Sequence, residues 1–137
     1  MRLIVIDTNV IVSAGIKPKG FPAWIIRSVI QEVNIQIAVS PSIVAEYRRV
    51  SQYSKFAQYD FPPAWLEFLI EGSLRFPDGG PWPHPLLDPD DACFLSLAKM
   101  TGAWLITGNI KHYPAESREG VIVRTPAEYV AMLNEKP

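Results

Sequence analysis

Apolar positions follow two rhythms along this chain. Short, mainly apolar runs from Leu3 to Ile6, Ile35 to Val39, Leu74 to Phe76, Trp104 to Thr107 and Val121 to Val123 read as strands. Between them, apolar residues recur at helical spacing from about Pro22 to Glu32, Pro41 to Gln52, Pro62 to Gly72, Pro89 to Thr101 and Pro126 to Asn134. Each of these five segments has a proline at or near its first turn, where the missing N–H costs nothing. Strands alternating with helices predict a parallel sheet covered on both faces, because parallel pairing needs a crossover that is usually helical.

One stretch keeps neither rhythm. From Phe76 to Asp91 the chain carries five prolines and no period, so it reads as a stiff loop. A loop this long in a small domain often serves function, and Trp82 and His84 are the side chains it would present. The simpler expectation for Trp82 is packing over the sheet edge.

The same patterning locates three acids. Asp7 ends the first apolar run, hence at a strand's C-terminal end, where open α/β sheets bind ligands; it can equally cap the following helix. Glu46 borders the apolar stripe of Ile43, Tyr47 and Val50, with Arg48 and Arg49 expected to point elsewhere. In Asp88-Pro89-Asp90-Asp91, capping and the helix dipole account for Asp88 and Asp90. Asp91 shares a face with Phe94, Leu95 and Ala98 and should point inward, which capping does not require. Asn109, in Thr107-Gly108-Asn109, follows the fourth strand and falls at the same sheet end. Clustered carboxylates repel unless a hard divalent cation such as Mg²⁺ or Mn²⁺ neutralises them, and such an ion activates water and phosphate for phosphodiester cleavage.

Composition narrows the classes. A chain of 137 residues that is 48% hydrophobic suits one domain with a real core, spanning residues 1–137. Apolar runs stop well short of the roughly 20 residues of a membrane span, and no signal-peptide pattern opens the chain. The lone Cys93 excludes an internal disulfide, reads as a small core residue, and agrees with a reducing cytoplasm. With 13 Lys and Arg against 14 Asp and Glu, no global field attracts nucleic acid. A nucleic acid would be held locally, by Lys17 and Lys19 in an early loop, by Arg48 and Arg49 on a helix or by Lys111 beside His112, with Trp82 or Tyr113 stacking an unpaired base.

Taken together, Ile-Val-Ile-Asp-Thr-Asn-Val, Pro-Ser-Ile-Val-Ala-Glu-Tyr, Asp-Pro-Asp-Asp-Ala-Cys-Phe-Leu-Ser-Leu-Ala and Trp-Leu-Ile-Thr-Gly-Asn resemble the PIN domain family over nearly the whole chain. The likeness is closest to the small prokaryotic toxin components of toxin–antitoxin pairs. It implies a three-layer α/β/α fold with about five parallel strands, a metal-dependent ribonuclease activity, a cognate antitoxin and commonly a homodimer. Position by position, Asp7, Glu46 and Asp91 match the family's catalytic, metal-holding acids, and Asn9 and Thr107 match the flanking polar positions. Asn109 stands where many members have a fourth aspartate, so one charge is missing, and Asp88 or Asp90 would serve as an auxiliary acid.

Other functions compete. A non-catalytic PIN-like module binding RNA or a protein accommodates Asn109 and the near-neutral charge. A phosphoaspartyl phosphatase would use Asp7 as nucleophile, but position 9 is Asn rather than a second acid. Rossmann-type nucleotide binding lacks its Gly-x-Gly-x-x-Gly after the first strand.

Overall fold

In the computed structural model of the chain, which describes residues 2–32 and 34–134, five parallel strands form one sheet between helices. The elements run β1 (Arg2–Ile6), α1 (Thr8–Ile16), α2 (Phe21–Gln31), β2 (Ile35–Val39), α3 (Pro41–Ser51), α4 (Trp65–Gly72), β3 (Leu74–Arg75), α5 (Ala92–Thr101), β4 (Trp104–Ile106), β5 (Val123–Arg124) and α6 (Pro126–Asn134). Short 3₁₀ turns occupy Ser54–Tyr59, Pro89–Asp91, Ile110–His112 and Ala115–Ser117. The sheet order is β3-β2-β1-β4-β5. The chain therefore builds outward from β1 in one direction, then returns to build outward in the other.

β1 lies at the centre, with Ile4 beside Ile37 of β2 and Ile6 beside Ile106 of β4. Ile4, Val5, Ile6, Ala38, Leu105 and Ile106 are buried, as strands covered on both faces must be. Helices supply the rest of a single cluster through Ile11, Ile25, Ile43, Ile70, Phe94 and Tyr129. No helix among the described residues is long and apolar enough to cross a membrane.

The structure departs from the sequence reading at particular places. Helix α1 has no counterpart in it, because the β-branched series Val10, Ile11 and Val12 has weak helix propensity and no polar face. Burial of Val10, Ile11 and Ala14 overrides propensity, and Gly15 admits the Phe61 ring where an added Cβ would stand only 2.6 Å from it. Helix α4 starts at Trp65 rather than Pro62. The segment beginning at Pro89 is split into a 3₁₀ turn and α5, and the last strand is displaced from Val121–Val123 to Val123–Arg124 by its pairing with Leu105 and Ile106. β2 and α6 fall where the spacing predicts.

Candidate active site

The reversal of strand order falls between β1 and β4, and in open α/β sheets the crevice beyond the strand ends at such a point receives ligands. Asp7 follows β1 directly and Thr107 follows β4, and the pairing of Ile6 with Ile106 brings the two side by side. Asp91 arrives from the other direction. Asp88 caps the turn by accepting from the Asp90 N–H at 3.0 Å, and Pro89 needs no partner there. One step later Asp91 lies in phase with the buried Phe94, Leu95 and Ala98, so its carboxyl turns inward, leaving the residue 8% exposed.

Asp7 is 4% exposed and held by donors that carry no charge. Its Oδ2 accepts from the Tyr113 hydroxyl at 2.7 Å, the Thr107 hydroxyl at 2.9 Å and the Asn9 amide at 3.3 Å. Burial raises its pKa from the ordinary value of 3.8, and these bonds pull it partly back. The neighbouring turn is knitted to the same group: Gly108 N–H donates to Asn9 Oδ1 at 2.8 Å, and Asn109 N–H donates to Thr107 Oγ1 at 3.0 Å. An added Cβ at Gly108 would stand 3.2 Å from Asn9 Oδ1, a contact tight enough to explain the glycine. Below, Tyr47 donates to the Ile6 carbonyl at 2.5 Å and pins the strand end. Burial, with help from the Asp7 charge, pushes that phenol well above its usual range.

Asp91 is the second pole. Burial, then the charge of Asp7, pushes its pKa up to about 6, while His112 pulls the other way. The charge of Asp7 is thus felt at Asp91 through poorly solvated surroundings. His112 Nδ1 lies 2.9 Å from Asp91 Oδ2, and His112 Nε2 lies 2.8 Å from Asn109 Nδ2. The Cys93 thiol is pushed up to about 12 by burial and by the surrounding acids Glu46, Asp7 and Asp91, so it stays neutral.

Glu46 is placed differently. Its side chain, 16% exposed, gives both oxygens to Arg49 Nη2 at 2.9 and 2.8 Å, and the same nitrogen reaches Asp90 at 3.3 Å. Arg49 does not point elsewhere, as its helical phase suggests, because one turn of α3 puts it within reach of Glu46. Arg48 is paired with Glu67 at 2.7 Å, whereas Lys111 is exposed and has no ion pair among the described residues. Asp88 and Asp90 stay on the exposed rim. Among the described residues, no three His, Cys, Asp or Glu side chains converge closely enough to share a metal ion. Asp7 and Asp91 are brought together; Glu46 is engaged by Arg49.

Even so, the donor chemistry fits a hard cation. Two buried aspartates, one of which carries a raised pKa partly from the charge of the other, offer oxygens of the kind that a hard divalent ion would stabilise.

Two further expectations change. Tyr113 is fully buried against Asp7 and cannot stack a base. Trp82 packs against the core and donates to the Ser117 carbonyl at 2.8 Å, while His84 pairs with Glu119 at 2.7 Å, so the proline-rich loop is fastened down. The residues that sequence reasoning missed are His112, Tyr47 and the role of Tyr113. The one available signal was the spacing Asn109-x-x-His112, which suits a single 3₁₀ turn.

Known proteins give this geometry its context. The crystal structure of VapBC2 from Rickettsia felis, bound to a DNA fragment from their promoter, contains a chain that superposes with a TM-score of 0.62 at 19% identity, covering 90% of this chain and 98% of that one. At that identity the likeness is one of fold. No curated protein sequence matches. The family model described as PIN domain matches residues 3–111. PIN domains are generally nucleases that work with divalent metal ions, and this chain belongs to the PIN domain family.

Proposed function

We propose that this protein is a metal-dependent endoribonuclease, the toxin of a toxin–antitoxin pair, with Asp7 and Asp91 as its principal metal-holding acids. The observation that carries the reading is that two buried carboxylates at the sheet's switch point are linked through Thr107, Asn109 and His112, with the pKa of Asp91 raised to about 6 partly by Asp7. Mg²⁺ or Mn²⁺ bound there supplies charge neutralisation for the phosphodiester and acidifies the attacking water.

The chain's own residues set the stage for that chemistry. Thr107, Asn9 and Tyr113 keep Asp7 in one orientation with its Oδ2 already occupied by donors. Glu46 is the third acid, held by Arg49 in the metal-free protein. No side chain is required as a covalent nucleophile, and the neutral Cys93 thiol is unsuited to be one. Lys111, exposed just beyond Asn109, is the local cation best placed to receive an RNA backbone. Arg48 and Arg49 would serve there only by leaving Glu67 and Glu46. The toxin assignment, its antitoxin and a homodimer come from the sequence resemblance to the small prokaryotic PIN branch, the VapBC2 chain agrees with them in fold, and the cytoplasm is the compartment that reading implies.

The test is cleavage of a panel of single-stranded and structured RNAs with Mn²⁺ or Mg²⁺ and with chelator, comparing wild type with Asp7→Asn and Asp91→Asn. Metal-dependent cutting that both substitutions abolish supports the assignment. Folded wild type that cuts nothing under any metal points instead to a non-catalytic module binding RNA or a protein.

A further inference from the structure

We infer that Asn109 and His112 form a positioning relay for Asp91, so that the amide at 109 is a hydrogen-bond donor built into the site and not merely a lost charge. The inference rests on the nuclease reading and names how the site holds its second acid. In the orientation the Asn109 amide takes here, its Nδ2 donates to His112 Nε2 at 2.8 Å, which leaves Nδ1 as the ring's donor to Asp91 Oδ2 at 2.9 Å. One tautomer satisfies both contacts.

Local geometry explains why these two residues meet. The 3₁₀ turn Ile110–His112 is closed by the His112 N–H donating to the Asn109 carbonyl at 3.0 Å, and in such a turn side chains three apart lie above one another. The turn is anchored at its other end. Asn109 N–H donates to Thr107 Oγ1 at 3.0 Å, and that hydroxyl donates to Asp7 Oδ2 at 2.9 Å. A continuous chain of hydrogen bonds therefore runs from Asp7 through Thr107, Asn109 and His112 to Asp91. Asp7 receives three side-chain donors, whereas His112 is the one side-chain donor to Asp91 among the described residues. Asp91 thus depends on the relay for its orientation.

An aspartate at 109 has no N–H to give the imidazole. Counting charges predicts that Asn109→Asp improves the site; the relay predicts that it damages it. The two expectations have opposite signs.

The experiment is Mn²⁺ titration by calorimetry, with RNA cutting measured in parallel, on wild type, Asn109→Asp, Asn109→Ala, His112→Ala and His112→Asn. The expected result is a loss of about 10- to 100-fold in Mn²⁺ affinity for His112→Ala and Asn109→Ala, the range typical of groups that orient a metal-holding acid. Asn109→Asp should also weaken binding. His112→Asn, whose amide nitrogen can fall near the Nδ1 position, should recover most of the loss, which a merely space-filling role would not give. ¹⁵N spectra of the metal-free wild type should show His112 protonated on Nδ1. Tighter Mn²⁺ binding in Asn109→Asp, an unchanged affinity in His112→Ala, or a proton on Nε2 would overturn the relay. With Mn²⁺ bound and RNA cut by wild type, those results leave the nuclease reading standing. A wild type that neither binds Mn²⁺ nor cuts RNA removes that reading and the relay with it.

Discussion

Asp91 carries the clearest consequence of burial at the scale of one residue. Its pKa of about 6 lies above the ordinary 3.8, so between those values the folded protein binds more protons than the unfolded chain. Stability of the metal-free protein should therefore fall as pH rises from about 4 to about 6 and level off above, a change on the order of 3 kcal/mol from this group. Asp7 is shifted the same way and adds to the slope. Denaturation with chelator present, across that range, should show a flatter profile for Asp91→Asn than for wild type; identical profiles would contradict the shift. A divalent ion held as proposed would take the ionised form, so Mn²⁺ affinity should weaken below pH about 6. Tyr113 acts on the other carboxylate. Tyr113→Phe deletes one of three donors to a buried acid and is expected to cost about 2 kcal/mol at neutral pH, less where Asp7 is protonated. Urea melts at both pH values check this, and an equal loss at each would refer the effect to packing. These two aspartates were legible because strand ends and helical phase locate side chains. His112 and Tyr113 were not, since the turns that carry them have no period to read.

Among elements, the loop from Phe76 to Asp91 shows how a segment without secondary structure can still be fixed. Asp78 accepts from Ser42 N–H at 3.0 Å and from its hydroxyl at 2.8 Å, tying the loop to the start of α3. Ser96 of α5 donates to the Gly80 carbonyl at 2.5 Å, and Trp82 is bonded to Ser117. Gly79 lies so close to α5 that an added Cβ would meet Ser96 Oγ at 2.5 Å and the Ser96 carbonyl oxygen at 3.0 Å, whereas Gly80 faces open space. Gly79→Ala should therefore destabilise by about 1–3 kcal/mol, and Gly80→Ala by much less. Chemical denaturation of the pair decides it, since equal effects would mean that the loop is not seated on α5. The sequence marks this loop by its prolines but contains no sign of what it rests upon. Helix α1 presents the converse case, where local preference and final structure disagree. Its apolar residues are buried on more than one side, so neither amphipathic rhythm nor propensity betrays the helix that the sheet imposes.

At the scale of the whole molecule, the fold follows from alternation that is plain in the sequence, but how it would hold RNA does not. The net charge of −1 gives no long-range attraction, and the structure pairs Arg48 with Glu67 and Arg49 with Glu46. Lys111 remains exposed beside the strand ends. Binding should then depend on few phosphates. For single strands the logarithm of affinity falls with the logarithm of salt by about 0.7 for each phosphate neutralised, so a footprint of about two gives a slope near −1.4. Fluorescence anisotropy with Asp7→Asn, the substitution expected to abolish cutting, over about 50 to 200 mM salt, measures it. Lys111→Ala should flatten the slope by about 0.7 while leaving preference among sequences unaltered, because a phosphate contact carries no base information. An unchanged slope in Lys111→Ala would place the backbone elsewhere. A wild-type slope steeper than about −3 would require more cations than this face offers as it stands, and hence Arg48 and Arg49 released from their carboxylates or a second copy of the chain contributing its own.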